Sequence, residues 1–320
     1  MALFILACAA TRPVSIPELT ASTELTVRGV INRAYLEQQA VTNSGLVTAV
    51  RDGSIEPVSF AFAPAGTVVV ADQKAGRLWT VPSPGGVTPP RAAPVVGTTT
   101  LREPGFVRVD QIGNVYISGV ETGAITVCDP RLRLVGTVEP PFAALGLVVG
   151  RLTGIAFGPQ GEFYLADQTN ALIYRYDAAG AFVAAFGSGD DAAWGRLVRP
   201  TGLACASDGG AVYVCDPGTR RVVVFDPGGV PLRVFGGTDL VEPRAIAVDA
   251  RGQCFVADEG AKAVVVFSAE GRLVRTIADL PPLIGRWERP TDVAVVDSTL
   301  WIADAAAGRI VAVALRQRAH

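Results

Sequence analysis

The stretch "VYVCDPGTRRVVVFDPGG", from Val212 to Gly229, places an aspartate and an arginine five residues apart between two apolar runs. Asp216 and Arg221 are either a catalytic pair in a cleft or two parts of a turn. Recurrence decides between these interpretations, because a catalytic pair is needed once whereas a structural turn is needed in every unit of a repeat.

The stretch recurs along the chain. The other copies are "GTVVVADQKAGRLWTV" (66–81), "GNVYISGVETGAITVC" (113–128), "GEFYLADQTNALIYRY" (161–176), "GQCFVADEGAKAVVVF" (252–267) and "STLWIADAAAGRIVAV" (298–313). The aspartate position falls at residues 72, 119, 167, 216, 258 and 304, with glycine at 119, so the period is 42 to 49 residues. Six copies at this period predict a propeller or a linear array, in which each repeat buries its faces against its neighbours.

Composition sets the fold class. Hydrophobic residues make up 49% of the 320 residues and charged residues 18%, which excludes an intrinsically disordered chain. The 35 glycines and 22 prolines indicate many tight turns, and no long segment shows the 3.6-residue period of a helix. We therefore expect an all-β protein. The formal charge of -2 argues against nucleic acid as a partner.

Each unit contains four predicted strands, and the two ends of the chain predict how the ring closes. The sixth unit ends after its third strand, Arg309 to Leu315, and the missing fourth strand is assigned to Ser44 to Val50. Pairing an N-terminal strand into the last blade removes the exposed sheet edges. We expect one six-bladed β-propeller over 44–315, preceded by a signal-like segment (1–10) and a linker (11–43) and followed by a tail (316–320).

The fourth unit, "RPTGLACASDGGAVYVCDPGTRRVVVFDPGGVPLRVFGG" (199–237), resembles the NHL repeat. The shared features are Pro-x-Gly followed by an aliphatic residue and alanine, a glycine turn, a strand ending in aspartate, and an arginine before Phe-Asp. The resemblance covers units three to six clearly and the first two loosely. It implies a propeller, but NHL proteins include RNA-binding propellers, extracellular sensors, a zinc-dependent amidating lyase and bacterial envelope proteins, so it does not assign one function.

The repeat answers the opening question. Three units keep the five-residue spacing: Asp72/Arg77, Asp216/Arg221 and Asp304/Arg309. We interpret the aspartate as an acceptor for backbone N–H groups of a turn, with the arginine placed to pair with it.

Charged residues stand just before the first strand of every unit. They are Glu56, Glu103, Arg151, Arg199, Glu242 and Arg289. In a propeller these six residues form a rim around one mouth of the central channel. Either neighbouring blades neutralise each other, or the rim receives a polar ligand or a protein partner.

Asp292 is the carboxylate at a position occupied by Ser59, Phe106, Gly154, Gly202 and Ala245 in the other units. It either binds a cation at the channel mouth or decorates the rim. We predict a non-catalytic binding propeller that uses the rim and Asp292. The alternative is a lactonase-like or lyase-like enzyme that holds a divalent metal by carboxylates at the same mouth.

Other metal and cofactor chemistry finds little support. The single histidine is His320, which excludes a His-based triad and the histidine set expected of a zinc-dependent lyase. No cofactor is predicted, although the sequence leaves open a calcium site made of oxygen ligands. Cys128, Cys205, Cys215 and Cys254 lie in predicted strands without CxxC spacing, which indicates buried free thiols.

The N-terminus "MALFILACAATRP" contains Ile5-Leu6-Ala7-Cys8, which resembles a bacterial lipobox with lipidation at Cys8. It lacks the basic start and the longer apolar stretch of a usual signal. We expect a lipid-anchored protein of the bacterial cell envelope, with a cytoplasmic protein as the alternative.

Overall fold

The protein is a six-bladed β-propeller built from six four-stranded antiparallel sheets, as expected from the repeats. The computed structural model describes residues 24–32, 55–64, 66–82, 91–93, 104–119, 123–188, 195–279, 285–296 and 299–316. Within these ranges the helical structure consists of one 3-10 turn, Gly237–Asp239. The sequence prediction of an all-β class is therefore confirmed.

Blades 1 to 3 follow one another in chain order, each with its strands paired in the order in which they occur. Their strands are β2 (Pro57–Ala63), β3 (Thr67–Asp72), β4 (Arg77–Pro82) and β5 (Arg91–Ala93) in blade 1; β6 (Pro104–Val109), β7 (Val115–Gly119), β8 (Ile125–Cys128) and β9 (Leu134–Val138) in blade 2; β10 (Leu152–Phe157), β11 (Phe163–Asp167), β12 (Leu172–Tyr176) and β13 (Phe182–Phe186) in blade 3.

Blades 4 to 6 complete the ring. Their strands are β14 (Leu203–Cys205), β15 (Val212–Asp216), β16 (Arg221–Phe225) and β17 (Pro231–Gly236) in blade 4; β18 (Pro243–Val248), β19 (Cys254–Asp258), β20 (Ala263–Phe267) and β21 (Leu273–Ile277) in blade 5; β22 (Pro290–Val296), β23 (Thr299–Asp304), β24 (Arg309–Arg316) and β1 (Glu24–Asn32) in blade 6.

The last blade is closed by an N-terminal strand, but by a different one from that expected. β1 pairs antiparallel with β24, from Glu24 opposite Arg316 to Asn32 opposite Arg309. The assignment of Ser44–Val50 as the closing strand is therefore wrong, because β1 already occupies that edge of β24. Ser44–Val50 itself lies outside the described residues, and β1 falls in the segment predicted to be a linker.

Antiparallel order defines two faces of the disc. The upper face carries the connections between blades and the turns between second and third strands. The lower face carries the turns between first and second strands and those between third and fourth strands. A register shift near the upper end of the first strand occurs in five blades, for example between Pro243 and Ala245 of β18. Such bulges re-aim the side chain that they contain, which is Arg244 in β18.

The core is divided among the gaps between blades. Second and third strands are apolar on both faces; β19 and β20 are buried at every residue. Most clusters are formed by side chains of two neighbouring blades, such as Tyr213 and Cys215 of blade 4 against Cys254 and Val256 of blade 5. Close packing between blades holds the ring rigidly and fixes where the strand ends lie around the central channel.

Candidate functional site

The turn aspartates are buried structural groups, as the repeat indicated. Asp72, Asp167, Asp216, Asp258 and Asp304 are at most 1% exposed. Asp258 is representative: its carboxylate accepts the backbone N–H groups of Val241, Glu242 and Ala261 at 2.7, 2.8 and 2.9 Å. In blades 1, 4 and 5 this aspartate ties the connection before the first strand to the turn after the second strand.

The arginine five residues later pairs with its aspartate in one of the three predicted units. Arg309 contacts Asp304 at 2.8 Å. Arg221 instead donates to the backbone oxygen of Arg196 at 2.8 Å, and Nε of Arg77 donates to the oxygen of Ala75 at 3.4 Å. The repeated spacing therefore serves the turn itself more than a side-chain ion pair.

Four of the predicted rim residues form ion pairs across blade boundaries. Arg199 of blade 4 contacts Glu242 of blade 5 at 3.1 Å, and Arg289 of blade 6 pairs with Glu56 of blade 1. Arg151 is exposed, and Glu103 lies outside the described residues. Neighbouring blades thus neutralise part of the rim, while the use of the rim as a ligand site remains a prediction.

Arg244, which the sequence analysis did not single out, lies at the upper channel mouth among these charges. Its guanidinium lies 3.9 Å from Glu259 and 6.0 Å above the ring of Phe106, and Nε has no hydrogen-bond partner among the described residues. Burial lowers the pKa of Arg244, and the positive charges of Arg151 and Arg289 lower it further against the opposing charge of Glu259. An anionic group placed here would gain a donor and relieve repulsion between arginines.

Phe106 closes the central channel beneath that mouth. Its backbone lies in the first strand of blade 2, yet its side chain belongs to one cluster with Ala245 and Ala247 of blade 5 and Val293 of blade 6. A ring that reaches the opposite side of the propeller must cross the channel axis. Phe106 is 4% exposed, so it separates the upper mouth from the space below.

Asp292, which is aligned with Phe106 in the repeat, is held in an ion pair with Arg108. Two nitrogens of Arg108 contact the two oxygens of Asp292 at 2.8 and 2.9 Å, and the hydroxyl of Ser59 donates to Asp292 at 2.5 Å. Asp292 is 1% exposed. Its carboxylate is therefore held by Arg108 and Ser59, while the use of Asp292 as part of a ligand site remains a prediction. The network joins the first strands of blades 6, 1 and 2.

Arg108 was missed although the aligned repeats mark it. The equivalent residues in the other blades are all alanine: Ala61, Ala156, Ala204, Ala247 and Ala294. These alanines surround a cavity of about 270 Å³ that opens on the lower face, with Arg108 as the charged residue of its lining. A single arginine at a position where the other five repeats have alanine could have been recognised in the sequence as a residue specific to blade 2.

The described residues do not fit a divalent metal at the mouth. No group of three or more His, Cys, Asp or Glu side chains suited to a metal ion occurs in the part of the chain that the structure describes. Glu56 and Glu242 are paired with arginines, and Asp292 is paired with Arg108. A metal at this mouth would have to replace those arginines.

The four strand cysteines are free thiols, as predicted. Cys128, Cys215 and Cys254 are buried and Cys205 is partly exposed. Burial raises the pKa of Cys205 and of Cys254 to about 12 and that of Cys215 well above its usual value. Thiols that stay protonated are poor nucleophiles and poor metal ligands, so these cysteines serve packing.

The N-terminal lipobox-like segment with Cys8 lies outside the described residues, so anchoring and localisation remain predictions. Within the described ranges, no helix has the length and apolar character needed to cross a membrane.

Comparison with known proteins finds sequence matches over part of the chain. A family model described as "SMP-30/Gluconolactonase/LRE-like region" matches residues 151–284, which correspond to blades 3 to 5. The protein brain tumor of Drosophila melanogaster is 27% identical over 137 residues, covering 42% of this chain and 13% of that protein. The human E3 ubiquitin-protein ligase NHLRC1 is 35% identical over 85 residues, covering 25% of this chain and 22% of that protein. The chain thus spans less than a quarter of the length of either relative.

Solved structures match nearly the whole chain at low identity. A putative gluconolactonase superposes with a TM-score of 0.63 at 14% identity, over 93% of this chain and 94% of its own. A virginiamycin B lyase from Staphylococcus aureus gives 0.61 at 14% identity, over 92% and 100%. A gluconolactonase from Xanthomonas campestris gives 0.61 at 16% identity, over 83% and 88%. At these identities the likeness establishes the fold, and by fold this chain is a six-bladed β-propeller.

Proposed function

We propose that the protein is a non-catalytic binding propeller whose upper face receives an acidic segment of a protein partner. The observation that carries this proposal is an arc of exposed valines and arginines on the connections before blades 3, 4 and 5. We call this surface the upper arc. It consists of Val148, Val149, Arg151, Val198, Arg199 and Val241.

The apolar part of the upper arc is exposed where the fold does not require it. Val148 and Val149 are 65% and 67% exposed, Val198 is 52% and Val241 is 51% exposed. These valines precede the first strands of three consecutive blades, so they share one face and lie beside the rim. Exposed apolar side chains on one face, bordered by charged residues, are typical of protein-binding surfaces.

The charge around the arc favours an acidic partner. Among the described residues of this face in blades 3 to 5, the solvent-accessible basic side chains outnumber the acidic ones. The basic ones are Arg151, Arg196, Arg199, Arg220, Arg221, Arg244 and Lys262, and the acidic ones are Glu139, Asp239, Glu242 and Glu259. Arginine beside apolar anchors commonly dominates the binding energy of an interface, because its fork of donors matches a carboxylate.

The committed side chains of the channel support a binding role over a catalytic one. Phe106 fills the axis under the mouth, and Arg108 occupies the carboxylate of Asp292. A ligand at the upper face therefore meets a closed floor that carries Arg244 and an aromatic ring.

A peptide-binding measurement tests the proposal. The probe is a synthetic peptide of alternating glutamate and leucine, and a peptide of alternating lysine and leucine serves as its control. Binding of the acidic probe should be saturable and should weaken as salt is added, because part of it comes from charge pairing. Val198→Glu should weaken binding, whereas Val230→Glu, at a 58% exposed valine away from the upper arc, should not. Equal effects of the two variants, or a preference for the basic peptide, would contradict the proposal.

A divalent-metal lactonase or lyase is the second candidate, favoured by the match of the gluconolactonase-type family model to blades 3 to 5. It would use carboxylates of the same rim, such as Glu56 and Glu242, after release from their arginines. Metal analysis of the purified protein and a gluconolactone hydrolysis assay separate the candidates. Stoichiometric tightly held metal together with chelator-sensitive hydrolysis would replace the binding proposal. Metal-free protein without hydrolysis supports the binding proposal.

A further inference from the structure

A second site lies on the lower face, in the cleft between blades 2 and 3. It is an open groove of about 510 Å³. One wall carries Asp110, Ile112 and Tyr116 of blade 2, and the other carries Phe157 and Phe163 of blade 3. The ring of Tyr116 meets that of Phe157 edge to face, with the two centroids 4.9 Å apart. A concave groove that combines an aromatic wall with polar side chains such as Asp110 and Asn114 has the composition of a small-ligand site.

The corresponding clefts of the next two blades are filled. Phe186, the last residue of β13, packs so closely on the turn of blade 4 that a Cβ atom on Gly229 would lie 2.5 Å from it. Phe235 of β17 blocks Gly271 of blade 5 in the same way, at 2.8 Å. The equivalent of these phenylalanines in β9 is Val138, which pairs with Ile125 as Phe235 pairs with Val222.

The smaller valine leaves the turn of blade 3 uncovered. A Cβ atom on Gly180 would meet nothing within 4 Å. The groove is therefore the same cleft that phenylalanine fills in the next two blades, left open here because valine is smaller.

A second filling group is also missing. In blade 4 the strands align Tyr213, Val224 and Arg233 in one row, and the guanidinium of Arg233 lies 5.6 Å from the Tyr213 ring and donates to its hydroxyl at 2.9 Å.

In blade 2 the same row reads Tyr116, Val127 and Gly136. Blade 5 has Arg275 at this position of the row and blade 3 has Arg175 one strand further in. Glycine at 136 thus leaves the ring of Tyr116 without the cation that lies on its counterpart in blade 4.

The groove retains the negative charge that such a cation would need. Asp110 accepts the N–H groups of Ile112 and Asn114 at 3.0 and 2.8 Å, and no described arginine or lysine lies within ion-pair distance of it. Burial raises the pKa of Tyr116, and the charge of Asp110 and a hydrogen bond to it raise that pKa further. A carboxylate beside an uncovered tyrosine ring attracts a cation both by charge and by the face of the ring.

We propose that this groove binds a guanidinium-bearing ligand, most simply an arginine side chain next to an aromatic residue in a peptide. The guanidinium takes the place that Arg233 holds in blade 4, over Tyr116 and beside Asp110. The aromatic group takes the place of Phe235, over Gly180. Arg233 and Phe235 of blade 4 therefore serve as an internal example of the arginine and aromatic groups that the groove beside blade 2 would bind.

Calorimetric titration with N-acetyl-phenylalanyl-arginine amide tests the proposal, with the citrulline peptide as a neutral control of the same shape. The arginine peptide should bind at one site, and the citrulline peptide about tenfold more weakly or not at all, because it lacks the charge. Asp110→Asn should weaken the arginine peptide to a similar degree, since an amide can still accept the turn N–H groups.

Gly136→Arg is the decisive variant, because it restores the internal guanidinium and should abolish binding. A side chain at 136 meets nothing within 4 Å of its Cβ atom, so the variant should fold. Gly136→Ala is the matched control and should bind as the original protein does. Undiminished binding to Gly136→Arg, equal affinity for the two peptides, or no saturable binding of the arginine peptide would each overturn the proposal. Circular dichroism and the melting temperature verify that each variant is folded.

Discussion

At the scale of single residues, most blades share the same turn aspartate but differ in the side chains that line the central channel. The turn aspartate occupies the same place in five blades, and its carboxylate always satisfies N–H groups that would otherwise be unpaired near the rim. Arg108 and Phe106 are departures: Arg108 stands where the other five blades have alanine, and Phe106 stands where blades 1, 3, 4 and 5 have serine, glycine or alanine. Repeated residues here maintain the fold, whereas unrepeated residues shape the site.

Asp258→Ala should lower the free energy of unfolding by about 3 kcal/mol, because three N–H groups lose a charged acceptor. Urea unfolding measures this loss. Asp208→Ala is the control: Asp208 is exposed and accepts one N–H group, that of Gly210, so the expected loss is under about 1 kcal/mol. Similar losses for both variants would contradict the structural role given to the repeated aspartate.

The buried pair of Arg108 and Asp292 should behave as a unit. Either Arg108→Ala or Asp292→Ala leaves its partner's charge uncompensated in the channel and should cost about 3 to 5 kcal/mol of unfolding free energy. The double variant should lose clearly less than the sum of the two single losses, since no charge is left behind. Urea unfolding of all three variants gives the coupling energy. Additive losses would mean that the two side chains act independently.

At the scale of strands, inner and outer strands differ in how well the sequence predicts them. Second strands such as β15 (Val212–Asp216) are buried throughout, so they form unbroken apolar runs. Outer strands such as β9 and β21 are half exposed, so their pattern is weak. Two segments, Glu24–Asn32 and Ser44–Val50, have a suitable length and composition for the closing strand. Only the pairing with β24 distinguishes them, and pairing is a long-range property.

The same difference explains the sites. The turn aspartates were predictable because they recur with the repeat. Arg108 was visible as an exception among aligned alanines. The groove between blades 2 and 3 was hidden, because Gly136 and Val138 matter only through the cross-strand rows that place them beside Tyr116 and Gly180.

Removal of β1 should open the ring. A protein that starts at residue 33 lacks the strand that pairs with β24, which exposes an edge and uncouples the blades on either side. Its melting temperature should fall by several degrees or more, and it should aggregate. A protein that starts at residue 24 retains β1 and is the control, with a melting temperature close to that of the full chain. If both truncated proteins melt like the full chain, β1 does not close the ring.

At the scale of the whole molecule, stability depends on the clusters of apolar side chains between blades. Several of these clusters contain titratable groups. Tyr164 and Tyr176 are 1% and 2% exposed, and their hydroxyl oxygens have no hydrogen-bond partner among the described residues. Cys205 packs against the cluster between blades 3 and 4 that contains Tyr164. The folded protein is therefore more stable when these groups are protonated and neutral than when they are ionised.

This burial predicts loss of stability in alkali. Desolvation raises the pKa of Tyr164 and of Tyr176 to about 12 from 10.0, and burial raises that of Cys205 to about 12 from 9.0. The unfolded chain therefore releases protons at a lower pH than the folded protein does. The free energy of unfolding should be constant up to about pH 9 and should then fall until about pH 12, where the folded groups also ionise.

Urea unfolding at a series of pH values checks this dependence. The double variant Tyr164→Phe/Tyr176→Phe should show a flatter decline between pH 10 and 12, because two groups no longer titrate, and should be no less stable at pH 7, because neither hydroxyl is bonded. A decline as steep as that of the original protein would show that other groups drive alkaline unfolding. The neutral-pH value separates this case from a general loss of packing, since a packing defect would lower stability at every pH.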